Sequence, residues 1–387
     1  MTPYGTARVA DARDARPRPG RRPRRVTLAI AGLGDGGAER VVSLLAKHWA
    51  STYQVSVVTV GSVERDVYQL PPGVERLALG LLEPSRHPIE ASWRSGKRIL
   101  ALRRALDRLQ PDVVVSFMTP TNVLCLLAAA GRDVAVLVAE RSDPRREGLG
   151  LPWVGLRRVL YPRAAGVIVQ TESVAGWARR FCARVHVIPN FVEPPARLAS
   201  PAADVERKQL LAVGRLSPEK GFDLLISAFA RVCPRQPDWS LTIVGEGAER
   251  RRLEALVESL GLRSRVDLPG RTSDTAARLA DAHAFALPSR YEGFPNALLE
   301  AMASGLPVVA FDCPSGPADI ITHETNGLLV SEGDVGQFAA ALERVMESPS
   351  ERARLGGNAR RVVDTLGPEP VLARWSTLLE PAGEGRR

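Results

Sequence analysis

Cysteine, histidine, aromatic rings and long apolar runs are all scarce in this chain of 387 residues. The four cysteines (Cys125, Cys182, Cys233 and Cys313) stand far apart, with no Cys-x-x-Cys or Cys/His ligand spacing. That argues against a zinc or dithiol site and makes them small core fillers in a reduced compartment. Five histidines leave little material for chemistry that needs several imidazoles to converge. No window of eighteen apolar residues exists; the longest candidate, Val123 to Ala130, suits a core helix, so a membrane span is not expected. Aromatic residues make up 5% of the chain and none stands among the arginines from Arg16 to Arg25, so that stretch lacks the stacking platform of a single-strand nucleic-acid binder.

The formal charge of +9 looks like a nucleic-acid signature until it is located. Residues 1–25 hold eight arginines against Asp11 and Asp14, a net +6 of that total. The tail from Arg16 to Arg25, rich in Arg and Pro, has no apolar segment behind it, so it is no secretory signal and is expected to be disordered. Two readings stay open for it: attraction to anionic lipid headgroups, worth about 1 kcal/mol per basic residue near the surface, or a solvated extension.

At this length two domains are the default. From Val26 onward short Val-rich runs alternate with helical stretches, the pattern of a doubly wound α/β sheet. Strands are predicted at 26–31, 55–60, 113–117, 134–139, 167–171 and 185–189, with a helix over 38–50. Residues 191–207 are rich in Pro and Ala without apolar period and read as a linker. The rhythm then restarts, with strands at 210–213, 240–244, 266–268, 284–287 and 307–311, helices at 222–232 and 249–260, and a final helical region over 335–365. The expected layout is a tail (1–25), an N-terminal Rossmann-like domain (26–190), a linker (191–207), a C-terminal Rossmann-like domain (208–365) and a terminal segment (366–387).

The most informative stretch runs from Pro288 to Glu300, where Glu292 and Glu300 stand eight residues apart across a loop-to-helix junction. Pro295 suits the first helical turn, and the amides of Asn296 and Ala297 would then face an anion such as a diphosphate. Earlier, Arg215 follows a strand and Lys220 precedes a helix; a guanidinium fork and an ammonium both suit phosphate oxygens. Gly270 and Arg271 close a strand where backbone could meet the edge of a nucleobase. Gly36 and Gly37 end the first loop, which reads G-x-G-x-G-G instead of the dinucleotide form G-x-G-x-x-G; they still let backbone approach an anion at a helix start. In the segment from Glu140 to Asp143, two carboxylates and Arg141 either orient an acceptor hydroxyl or form a local turn and ion pair.

Together these segments resemble the family 4 retaining glycosyltransferases of the GT-B fold over nearly the whole chain from Val26 to Thr365. GRLSPEKGFD, VGEG, LPGR, LPSRYEGFPNALLEAMASGLPVVA and GPADII stand in the family's order. GGAERVV and AERSDP are similar to the branch that builds polysaccharides and lipid-linked oligosaccharides, N-acetylgalactosaminyltransferases among them. The resemblance implies two Rossmann-like domains facing across a cleft and hexosyl transfer from a UDP-sugar to a saccharide or polyprenyl-linked acceptor at the cytoplasmic membrane face. It implies that Glu292 lies near the donor sugar, that Glu300 holds the ribose, and that Arg215 and Lys220 neutralise the leaving diphosphate. The Gly36–Gly37 loop would close over that diphosphate from the other domain. No Asp-x-Asp triplet occurs, so the two cations and the helix amides suffice as counter-charge: no metal and no cofactor beyond the donor co-substrate is expected. Where many relatives carry a histidine near the donor sugar, this chain has Thr119 and Thr121, and no histidine is given a role.

Other readings compete. Transfer to a soluble natural product would use the same residues. An NAD(P)-dependent oxidoreductase fits the α/β rhythm, but the first loop has the wrong glycine spacing and no acid ends the second strand. A sugar-nucleotide epimerase would need more histidines and acids in its cleft.

Overall fold

The computed structural model describes residues 23–83, 87–146, 148–272 and 274–380. The arginine-rich tail lies outside the described residues up to position 22, and Arg25, placed with that tail on sequence grounds, opens the first strand with its N–H on Asp112 Oδ2 at 2.8 Å.

The described residues form two compact units, one from residue 23 to 189 completed by residues 374–380, the other Asn190–Ala373. In the first, β1 (Arg25–Ile30), β2 (Gln54–Thr59), β3 (Glu75–Ala78), β4 (Val113–Phe117), β5 (Ala135–Ala139), β6 (Gly166–Val169) and β7 (Val185–Val187) make one parallel sheet in the order β3-β2-β1-β4-β5-β6-β7. In the second, β8 (Lys208–Val213), β9 (Trp239–Val244), β10 (Val266–Gly270), β11 (Ala284–Leu287), β12 (Val308–Asp312) and β13 (Leu328–Ser331) run β10-β9-β8-β11-β12-β13. Both are doubly wound sheets of the Rossmann kind, and each reverses its strand order once, between β1 and β4 and between β8 and β11.

The chemistry of each layer is legible in its residues. β4 reads VVVSF and is buried throughout, because a parallel strand with helices on both sides has no solvent face. Its Val115 lies level with Leu28 of β1 and Leu137 of β5, so apolar side chains stack across the sheet in register. The helix Phe222–Val232 presents Phe222, Leu225, Ile226 and Phe229 on one stripe, all buried in a core shared with Phe338, Leu342 and Val345 of the helix Val335–Glu347. Burying Phe229 alone is worth about 1.5–3 kcal/mol.

Two expected segments gain detail and the linker is corrected. The final helical region is three helices, Val335–Glu347, Pro349–Ala359 and Val362–Leu366, broken at Ser348, whose side chain accepts from Glu351 N at 3.2 Å to cap the second. The stretch 191–207 is a strap packed on the second unit: Phe191 and Val192 are buried, Val192 N–H bonds Leu366 O, and the fully buried Arg352 reaches Pro201 O at 2.6 Å. The terminal segment contains the helix Pro368–Leu379, which carries Trp375 against Trp49 of the first unit with ring centroids 5.6 Å apart. Residues 381–387 lie outside the described residues. The short β3, the edge strand β13 and the long helix Pro88–Leu109 are further elements that the sequence reading did not place.

Candidate active site

Ligands of doubly wound sheets bind beyond the strand carboxyl ends, at the point where strand order reverses. In the second unit that point is flanked by the loop after β8 (residues 214–221) and the loop after β11 (residues 288–295). These are the loops that carry Lys220 and Glu292. The structure brings the two together, Lys220 Nζ on Glu292 Oε1 at 2.6 Å, with Ser289 Oγ donating to the same oxygen at 2.7 Å. Glu292 is buried and a quarter of the Lys220 side chain remains exposed. An ammonium has three donors, so Lys220 can hold Glu292 with one and present others outward.

The local fold explains the pairing. Pro218–Lys220 is one turn of 3-10 helix, ended by Gly221 at φ +63°. A Cβ at Gly221 would fall 2.1 Å from Pro288 O, so only glycine lets the two loops approach this closely. Arg290 clamps them: its N–H donates to Glu219 O at 2.8 Å, Nη1 donates to Pro218 O at 2.6 Å, and the guanidinium grips both oxygens of Asp223 at 3.0 and 2.8 Å. Burial pulls the Asp223 carboxyl up, but the bonds and charge of Arg290 outweigh it and hold the group below its ordinary 3.8. Sequence reasoning missed Arg290, Asp223 and Ser289 as parts of the site. Arg290 and Ser289 stood in the quoted motif, but the partner of Arg290 is 67 positions away in sequence.

The helix Asn296–Ala303 begins one residue later than expected: Pro295 is its N-cap, with extended backbone and no side-chain cap for the first turn. Asn296 Oδ1 accepts from Asn190 Nδ2 at 2.6 Å, Ala297 follows it, and Glu300 lies in the second turn, partly exposed. Gly316, at φ +103° after β12, packs so close that a Cβ would meet Pro295 Cδ at 2.6 Å, which fixes the helix entry. Burial, then the charges of Glu292 and Glu332, push the Cys313 thiol up to about 12, so it stays protonated and is no nucleophile at neutral pH.

Arg215 is exposed, with no ion pair among the described residues. Gly270 ends β10 at φ +89° and its carbonyl accepts from Gly245 N–H at 2.9 Å; Arg271 is exposed beside it. Arg250 ties this corner together, bonding Glu246, Gly245 O and Leu268 O. Gly36 and Gly37 belong to the first unit, where Gly36 caps the helix Gly37–Trp49 and its carbonyl accepts from Arg40 N–H at 3.1 Å.

The segment from Glu140 to Asp143 makes contacts within the first unit. Glu140 is fully buried and accepts from Thr119 Oγ1 at 2.7 Å and from Tyr161 OH, whose phenol burial and the Glu140 charge together hold well above 10. Asp143 is ion-paired to Arg145 at 2.7 Å. No group of three or more His, Cys, Asp or Glu side chains able to hold a metal occurs among the described residues.

Comparison with known proteins agrees with this geometry. Residues 197–362 match the family described as glycosyl transferases group 1, and residues 35–194 match glycosyltransferase family 4. The chain is a GT-B glycosyltransferase. Its fold is similar to that of sucrose-phosphate synthase from Thermosynechococcus elongatus, with TM-score 0.79, 23% identity and coverage of 92% of this chain and 98% of that one. HepE of Anabaena, solved in complex with UDP and glucose, is similar at TM-score 0.75 and 19% identity over 92% of this chain and 98% of its own. Among curated relatives, a Campylobacter jejuni undecaprenol-diphosphate-linked saccharide α-1,4-N-acetylgalactosaminyltransferase is 28% identical over 92% of the transferase and 98% of its own length. No helix of its described residues is long and apolar enough to cross a membrane.

Proposed function

We propose that the transferase moves a hexose or N-acetylhexosamine from a UDP-sugar to a saccharide acceptor carried on a polyprenyl diphosphate, with retention of anomeric configuration. The observation that carries the reading is the Lys220–Glu292 pair at the strand-order reversal of the second sheet, beside the uncapped start of the helix that bears Glu300. As the donor C–O bond breaks, negative charge grows on the departing diphosphate, and fixed donors aimed at that charge are usually the largest catalytic term. Lys220 and Arg215 supply it, with the amides of Asn296 and Ala297 adding the positive end of a helix. Glu292 holds Lys220 and lies near the donor sugar; Glu300 accepts from the ribose hydroxyls. Backbone at Gly270 and Arg271 reads the base edge. Gly36 and Gly37 let the chain approach an anion at the start of the helix Gly37–Trp49.

The uracil base is supported by the UDP bound in HepE, and the lipid-linked acceptor by the printed activity of the Campylobacter relative. Attraction of the arginine tail to an anionic membrane at the cytoplasmic face belongs to the same proposal. The test is a thermal-shift screen of the full chain with UDP, GDP and ADP, their common sugars, and NAD(H). A ligand at about 100 times its Kd stabilises by about 2.7 kcal/mol. Selective stabilisation by one UDP-sugar, followed by NMR of the product's anomeric centre showing retention, supports the reading. Stabilisation by NAD(H) alone, or an inverted product, sinks it.

A further inference from the structure

The helix Leu151–Leu160 leaves much of its apolar surface exposed. Seven of its ten residues are apolar and none is acidic, yet the one residue it buries is Arg157. Leu151 is 87% exposed and Val159 58%, and Val154 and Leu156 also face outward. Arg157 points inward instead, donating to Thr119 Oγ1 at 3.1 Å and Pro144 O at 3.3 Å, with its guanidinium 4.8 Å above the Trp177 ring. A surface helix ordinarily buries its apolar stripe and solvates its charges. Here an internal arginine and the partly buried Trp153 and Leu160 anchor the helix, while Leu151, Val154, Leu156 and Val159 remain outside.

Beside it lies a cleft of about 160 Å³ lined by Val154, Arg157, Arg158, Trp177, Arg180 and Phe181, with no acidic side chain among them. Trp177 and Phe181 meet edge to face at 4.9 Å and form its apolar floor. Residues 151–184 hold six arginines and one glutamate, and that glutamate, Glu172, is paired with Arg179 at 2.8 Å. The surface is thus apolar and cationic together. A second copy of the same face would set like charges against each other, whereas an anionic lipid surface complements both properties.

We propose that the helix Leu151–Leu160 and the adjoining cleft seat the transferase on an anionic bilayer. Leu151, Val154, Leu156 and Val159 enter the acyl boundary, and Arg158 and Arg180 take headgroup phosphates. The inference extends the reading of a lipid-linked acceptor, and it places the contact on the folded first unit, apart from the arginine tail.

The test is flotation of the full chain with phosphatidylcholine vesicles, with and without about 30% phosphatidylglycerol. The wild type should float with the anionic vesicles and not with the neutral ones. Leu151→Asp combined with Val159→Asp should weaken flotation at least about tenfold, since two side chains that enter the acyl boundary become charged. Its melting temperature and its stabilisation by UDP-sugar should be unchanged. If that double variant melts early, Arg158→Gln with Arg180→Gln asks the same question and should also flatten the salt dependence. A full chain with Arg16, Arg18, Arg21 and Arg22 changed to Gln should still float. The proposal falls if the Asp variant floats like wild type, if the tail variant alone abolishes flotation, or if sedimentation shows a dimer that the Asp variant dissociates. Failure of the wild-type chain to float with the anionic vesicles, with donor binding intact, would overturn the docking surface and leave the transferase reading standing.

Discussion

Replacing Lys220 with Met should do two separable things. Lys220 Nζ stands 2.6 Å from a carboxylate that is itself 7% exposed. At an effective dielectric near 20, unit charges about 4 Å apart interact by about 4 kcal/mol. The partial exposure of Lys220 reduces this, and Ser289 still donates to Glu292 after the lysine is gone, so stranding the carboxylate should cost about 2 kcal/mol. That lowers the melting temperature of a unit of this size by about 4–8 °C. Turnover should fall about 100- to 1000-fold, the usual loss when one preorganised donor is removed from a developing oxyanion. Adding Glu292→Gln to Lys220→Met removes the stranded charge, so at least about half the lost stability should return while turnover does not. Urea unfolding and UDP release under saturating donor measure the two effects. Turnover within about twofold of wild type in Lys220→Met would refute the leaving-group assignment. A double variant no more stable than the single one would refute the stranded-carboxylate argument.

Arg290→Met should let the Asp223 pKa rise, because burial pulls it up and Arg290 supplies the largest opposing bonds and charge. Because the Asp223 pKa is depressed below 3.8 in the folded protein, its contribution is fully present above that value and lost as pH falls through the lower folded one. The stability gap between wild type and variant should therefore be constant at neutral pH and shrink in acid; a gap that does not change with pH would show that the pair is not its source. Gly221→Ala places a Cβ 2.1 Å from Pro288 O at a left-handed φ, which should cost at least about 2 kcal/mol and part the Lys220 and Glu292 loops, and wild-type melting and turnover together would contradict this. Glu140→Gln should destabilise the first unit by about 1–3 kcal/mol and leave stabilisation by UDP-sugar intact. Loss of donor binding with the fold preserved would show Glu140 acting in the site.

Much of the fold was legible because parallel strands buried on both faces must be apolar throughout, as in VVVSF of β4 and AFAL of β11. The helix Phe222–Val232 announced itself by the spacing of its apolar stripe. β3 did not, because its residues, ERLA, lie at a sheet edge and are only half buried, so no apolar run marks it. The break at Ser348 was visible in principle, since a serine followed by proline and, three positions on, a glutamate is a capping signal. Within the candidate site, Arg215, Lys220, Glu292 and Glu300 could be named from residue type and from their place after apolar runs. Sequence alone therefore determined which loops follow which strands and which charged groups those loops carry, because local periodicity and turn chemistry act over a few residues. Tertiary structure decided that Lys220 spends a bond on Glu292, that Arg290 reaches Asp223, that Trp375 returns to Trp49, and that the helix Leu151–Leu160 turns its arginine inward. Each of those depends on burial and charge between residues brought together by strand order, which no local pattern encodes.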